Sequence, residues 1–165
     1  MSDETYIRQS NFIFESKNTD FKDMNLGIDR MSMAINAMGD PCKKTPAIQI
    51  AGTNGKGSIA AFINSVLSLV NIKTGVTTSP HLVDWVERIC INKSQISTEE
   101  FHILSRTLAP IAKDYGLTPF ELVIAIALKY FDLKEVELLI LEVGLGGRLD
   151  ATTAHKYRPI IAFGA

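Results

Sequence analysis

The chain has 165 residues, 46% hydrophobic and 21% charged, with 17 Lys plus Arg against 18 Asp plus Glu for a net charge of -1. That is too apolar for a disordered chain, and too evenly charged to carry the electrostatic footprint of a nucleic-acid or anionic-membrane binder. No run approaches the roughly 20 apolar residues of a membrane span, and the length suits one domain.

The N-terminus, Met1-Ser2-Asp3-Glu4-Thr5, is acidic and polar, the reverse of a secretory leader. Phe21 to Met38 carries Leu26, Ile28, Met31, Met33, Ile35 and Met38 at loosely helical spacing, a Met-rich face that reads as core filling. Gly39-Asp40-Pro41 breaks this helix. Ala47 to Ala51 is a β-rich run followed at once by Gly52-Thr53-Asn54-Gly55-Lys56-Gly57-Ser58, and Ile59 to Val70 returns to helical spacing. Lys73 to Thr77 reads as a second strand, ending in Thr78-Ser79-Pro80-His81, and Arg88 to Asn92 as a third, outer one. Ser97-Thr98-Glu99-Glu100 and Thr118-Pro119-Phe120-Glu121 are capping boxes that open helices over Phe101–Ala112 and up to about Phe131. Val136 to Val143 contains a buried-strand run, Leu138 to Leu141, that ends in Glu142, and Pro159 to Phe163 reads as a last strand. Strands alternating with helices predict an α/β fold with a mostly parallel sheet flanked by helices. Cys42, in a polar Pro-containing loop, and Cys90, in a strand-like run, are too few and too far apart for a zinc site or a disulfide framework. They read as reduced thiols of a cytoplasmic protein.

Four segments carry chemistry. A glycine-rich turn between strand and helix offers consecutive backbone N–H groups and a positive helix end to a phosphate. In Gly52–Ser58 the glycines permit close approach, and Lys56 supplies a point charge. The strict phosphate-loop pattern fails twice: Ile50 stands at the first glycine position, and Gly57 where a hydroxyl would reach magnesium. Glu142 ends a central strand, where ligands gather in parallel sheets; it either faces solvent or holds magnesium beside the phosphates. Gly144-Leu145-Gly146-Gly147-Arg148-Leu149-Asp150-Ala151-Thr152 is not a dinucleotide fingerprint, and its spacing alone assigns no role. Ser79-Pro80-His81-Leu82 falls at the same sheet edge, where the Ser79 hydroxyl could replace the ligand missing at Gly57.

Together these segments, with Glu87-Arg88-Ile89, resemble the signature set of folylpolyglutamate synthases and dihydrofolate synthases of the Mur-ligase superfamily. Gly27-Ile28-Asp29-Arg30 is similar to the family's N-terminal stretch. The resemblance implies a phosphate-loop NTPase-like Mur-ligase ATP-binding domain over residues 1–165, truncated at its C-terminal end, with the C-terminal glutamate-binding domain absent. It implies ATP-dependent ligation of L-glutamate to folate or dihydropteroate through an acyl phosphate, with Mg2+, by an enzyme that is monomeric at full length. Gly52, Thr53, Asn54, Gly55, Lys56, Gly57 and Ser58 would cradle the ATP phosphates, with Lys56 and Glu142 catalytic and Ser79 and Glu142 on the metal. His81, Thr118, Phe120, Asp150 and Ala151 would line the folate or pteroate pocket. One departure stands out: relatives end the glycine segment Ala-Thr-Asn, whereas here it is Ala151-Thr152-Thr153. The isolated chain is expected to show little or no ligase activity. The alternatives are another phosphate-loop ATPase or kinase, or a non-catalytic nucleotide-binding remnant.

Overall fold

A computed structural model describes residues 28–164. The acidic N-terminal segment, the Phe21–Gly27 part of the first predicted helix and Gly27 of the Gly-Ile-Asp-Arg stretch lie outside the described residues. The elements run α1 (Asp29–Ala37), β1 (Ala47–Gly52), α2 (Lys56–Leu69), β2 (Thr74–Thr77), a 3-10 turn at Trp85–Arg88, β3 (Ile89–Ile91) and β4 (Ser94–Gln95). There follow α3 (Thr98–Tyr115), α4 (Pro119–Leu133), β5 (Leu138–Glu142), a 3-10 turn at Ala151–Ala154 and β6 (Ile160–Gly164).

The strands form one six-stranded sheet in the order β4-β3-β2-β5-β1-β6. β2, β5, β1 and β6 are mutually parallel and joined by long crossovers, while β3 pairs antiparallel with β2 and β4 antiparallel with β3. β4 lies outside β3, so β3 is not the outer strand its sequence suggests. The turn between them is short, and Asn92 takes the left-handed conformation (φ 51°) that lets the strands pair. β2 starts at Thr74 rather than Lys73, because the Lys73 N–H donates to the Glu137 carboxylate (2.8 Å) instead of to the ladder. Both capping boxes form, Ser97 and Thr118 each accepting from the N–H three residues on. α3 extends beyond its apolar run at both ends, closing on Gly116 in the left-handed region that favours glycine (φ 63°).

Each face of the sheet has its own core, as the two-residue period of a strand requires. Ile48, Ile50, Val76 and Ile140 pack with Ala60 of α2 on one face. On the other, Ala47, Leu139 and Leu141 meet α4, whose residues Leu122 to Leu128 are all buried, and α1 and α3 cover α4 in turn. α4 presses so closely on β2 that a Cβ at Gly75 would sit 2.6 Å from the Phe131 ring. Of the Met-rich face, Met31 is fully buried, but Met33 is half exposed. Cys42 is not a polar-loop residue in its surroundings: its Sγ is buried 3.4 Å from the Leu128 carbonyl, and burial pushes the thiol pKa up to about 12. Both cysteines are unpaired.

His155 ties the sheet's opposite end together, its Nε2 lying 3.0 Å from the Thr45 carbonyl. Burial, and secondarily the nearby Arg158, hold its pKa below the ordinary 6.5. A proton is therefore taken up more readily by the unfolded chain, so this stability is present above the ordinary value and is lost as pH falls through the folded one. Thermal melts should show the midpoint falling on acidification from about pH 7.5 to about 5.5, and His155→Gln should flatten that slope. An unchanged slope would remove His155 as its source.

Candidate active site at the carboxyl edge of the sheet

Because β1, β2 and β5 are parallel, the loops that follow them emerge at one edge. The structure thereby brings together the glycine turn, the Ser79–Leu82 loop and the Glu142–Thr152 segment, which lie far apart in the chain.

The first helical residue of α2 is Lys56, three positions earlier than its apolar run suggests. Gly55 precedes it at φ 72°, and no side chain caps the helix, in contrast to α3 and α4. The first-turn N–H groups of α2 are thus left without a side-chain acceptor, which suits an anion. Lys56 Nζ donates to the Gly52 carbonyl across the turn at 3.0 Å. Gly52 also has a neighbour within the fold that the sequence did not indicate. At φ 134°, a Cβ there would fall 1.9 Å from the Gly164 carbonyl oxygen of β6.

Glu142 does not face solvent. Only 4% exposed, its carboxylate accepts the Ser79 N–H at 3.0 Å. It also faces the first turn of α2, where a Cβ on Gly57 would come within 3.8 Å of Oε2. A serine or threonine at 57 would fill this space, so the missing hydroxyl coincides with room beside the carboxylate. Burial raises the Glu142 pKa, opposed by the Ser79 N–H and by the positive charge of Lys56. An anion held at such a cost is one that a cation would stabilise. No cluster of three or more His, Cys, Asp or Glu able to hold a metal occurs among the described residues. Ser79 and Glu142 could supply two oxygen ligands, a number that fits magnesium, which keeps several waters and takes the rest from phosphates.

The glycine segment after β5 is organised by Asp150, which is 5% exposed. One carboxylate oxygen accepts the Gly144 and Leu145 N–H groups at 3.0 Å, and the other the N–H and hydroxyl of Thr152. Both oxygens are therefore occupied by the segment itself, so a ligand edge would have to share them; Ala151 is buried in the core. Thr153, the departure from the family pattern, has work of its own: its hydroxyl donates to the Gly147 carbonyl and accepts from Gln49. Asp150→Asn would turn a donating NH2 toward either the Gly144 and Leu145 N–H groups or the Thr152 N–H and hydroxyl. It should destabilise the segment by about 2 kcal/mol, with faster amide exchange at Gly144 and Leu145 as the readout. Unaltered exchange there would show that Asp150 does not hold the turn.

Phe120 lies against Gly144, where a Cβ would come 2.7 Å from the ring, so only a glycine admits the aromatic there. Thr118 is engaged in capping α4. His81 accepts a hydrogen bond on Nδ1 from Arg88 Nε at 2.7 Å and packs 4.6 Å from Trp85.

Three supporting residues are given no role by the motif reading, although two of them, Arg30 and Glu87, fall in segments that it quotes. Gln49, buried in mid-β1, donates to both Thr152 and Thr153 hydroxyls, at 2.9 and 2.8 Å. A lone amide inside the apolar run Ala47–Ala51 is the signal that could have found it. Arg30 Nε lies 2.9 Å from both oxygens of buried Glu121, fastening α1 to the start of α4 beside Phe120. Glu87 accepts the Leu82, Val83 and Asp84 N–H groups, each at 2.8 Å.

Comparison with known proteins finds the same likeness. The chain is 38% identical over 131 residues to a dihydrofolate synthetase of Saccharomyces cerevisiae, covering 78% of this chain and 31% of the yeast protein. It is 41% identical over 133 residues to a dihydrofolate synthase/folylpolyglutamate synthase of Bacillus subtilis, covering 76% and 31%. The chain is related to the dihydrofolate and folylpolyglutamate synthases. Its fold agrees: a folylpolyglutamate synthase of Mycobacterium tuberculosis, complexed with ADP and AMPPCP, superposes at a TM-score of 0.87 with 29% identity, over 98% of this chain and 36% of that one. A bifunctional synthase of Yersinia pestis, complexed with AMPPNP and a Mn ion, gives 0.85 with 28% identity, over 96% and 38%. The chain spans about a third of the length of the synthases it matches. No protein-family model matches it.

Proposed function

We propose that this chain supplies the nucleotide- and acceptor-binding part of an ATP-dependent ligase that joins L-glutamate to folate or dihydropteroate through an acyl phosphate. The observation that carries the proposal is the buried Glu142 carboxylate, fixed by the Ser79 N–H and facing the uncapped first turn of α2 across Gly57.

The reaction must bring an anionic carboxylate up to anionic ATP. The Gly52–Ser58 turn would receive the phosphates on its backbone N–H groups, and Lys56 would leave the Gly52 carbonyl for an outer phosphate oxygen. Ser79 and Glu142 would hold Mg2+, which supplies charge neutralisation between the two anions. Phe120 offers an aromatic surface and His81 a polar one for the folate or pteroate, while Asp150 and Ala151 shape the segment beside it. Residues 1–165 would form an ATP-binding domain of Mur-ligase type. The glutamate-binding domain would belong to the two thirds of the synthases that this chain does not match. The proposed partners are small molecules, with no nucleic acid or membrane, and the proposed setting is a cytoplasmic, monomeric enzyme.

The test is calorimetric titration of the chain with ATP, with and without Mg2+, followed by incubation with dihydropteroate or tetrahydrofolate and glutamate. Mg2+-dependent ATP binding, lost in Glu142→Gln, supports the proposal; little or no ligation is expected from this chain alone. ATP turnover that ignores acceptor and glutamate would replace it with another phosphate-loop ATPase or kinase.

A further inference from the structure

The loop between β2 and the Trp85–Arg88 turn is braced from within. Glu87 takes the N–H groups of Leu82, Val83 and Asp84, and Asp84 with Glu87 forms a capping box. The bracing leaves the Leu82 and Val83 side chains 93% and 88% exposed, so the loop is held in place while presenting two apolar side chains. His81 lies just before them. Its Nδ1 receives the Arg88 Nε–H at 2.7 Å, and the same guanidinium lies 4.4 Å from the centre of the Trp85 ring, with the imidazole at 4.6 Å.

A guanidinium has N–H donors and no acceptor, and an imidazole nitrogen accepts only when it carries no proton. The Arg88 bond therefore requires a bare Nδ1, which places the ring proton of neutral His81 on Nε2. Among the described residues Nε2 has no partner of its own. Trp85 lies under the guanidinium and against the imidazole at a tilt of 55°, so guanidinium, indole and imidazole pack as one unit.

We propose that Arg88 is a positioning residue for His81, fixing it as the Nε2–H tautomer so that the loop presents a hydrogen-bond donor, flanked by apolar Leu82 and Val83, to an oxygen or ring-nitrogen acceptor of the pteroate-type substrate. The assignment of the partner rests on the proposed function; the tautomer does not. A flat heterocyclic substrate with carbonyl and carboxylate oxygens offers both an apolar face and acceptors, which is what this loop is equipped to meet.

The experiment uses the 15N-labelled chain. Long-range proton–nitrogen correlation of the His81 ring should show the Nε2–H pattern in the native chain. Arg88→Met should admit a measurable share of the Nδ1–H form, and Arg88→Lys, whose ammonium can still donate to Nδ1, should restore the native pattern. Dihydropteroate titrations should show Arg88→Met and His81→Ala weakening binding by a similar factor, about tenfold, with no further loss in the double variant, and Arg88→Lys regaining most of the affinity. A native Nδ1–H pattern, or an unmixed Nε2–H pattern that survives Arg88→Met, would overturn the clamp. Additive losses in the double variant would overturn the coupling of Arg88 to substrate through His81. If the native chain binds no dihydropteroate while its His81 shows the Nε2–H pattern, the proposed function fails and the clamp stands.

Discussion

Replacing Lys56 with alanine is expected to weaken Mg2+-ATP binding by roughly 10- to 100-fold, the value of one charge-assisted contact to phosphate. Fold stability should hardly change, because Lys56 is only half-buried and bonds a single carbonyl, that of Gly52. Calorimetric titration alongside thermal melts separates the two effects. An affinity equal to that of the native chain would show that Lys56 does not reach the nucleotide. The same ammonium also lies near enough to Glu142 to lower the cost of its charge. Mg2+ dependence should therefore change with the affinity, as one linked event.

The second large effect is on the fold. Gly52→Ala should destabilise the chain by about 3 to 5 kcal/mol, or free β6 from the sheet, because two penalties coincide. The residue sits at φ 134°, and its new Cβ would overlap the Gly164 carbonyl at 1.9 Å. Gly55→Ala is the control: it has φ 72° but nothing within 4 Å, so it should cost only about 1 to 2 kcal/mol. Denaturant midpoints measure both, and amide exchange over Ile160–Gly164 shows whether β6 has let go. Equal midpoints for the two variants would mean that contact with β6 does not set the identity of residue 52.

Much of the fold was legible because local patterns and tertiary demands agree. The capping boxes at Ser97 and Thr118 form as their spacing requires, since a side-chain oxygen three residues from an orphan N–H needs no distant partner. Leu138–Leu141 reads as a buried strand and is one, flanked on both sides by parallel neighbours. Differences arise where a distant residue competes for a local group. Glu137 claims the Lys73 N–H and delays β2, β4 adds an edge beyond β3, and the sulfur of Cys42 is buried against α4 although its neighbours in sequence are polar.

At the site, residue types and order along the chain were sufficient to mark the glycine turn, the Ser79 loop and Glu142, because phosphate and magnesium each require particular groups at strand ends. What the sequence by itself determined was this inventory, together with the alternation of strand and helix that puts all three segments at one edge of a parallel sheet. Only the tertiary structure decided what each group faces. Glu142 could equally have met water, but strand register and the start of α2 bury it against Gly57 and Ser79. Asp150 could have had both oxygens open to a ligand, but Gly144, Leu145 and Thr152 donate to them. Arg88 and His81 are seven residues apart, yet only the turn at Trp85 makes them a pair. The physical reason is common to all three. Chemical capability belongs to a residue type, whereas desolvation and hydrogen-bond partnership belong to the neighbours that the folded backbone brings into place, near in the chain or far.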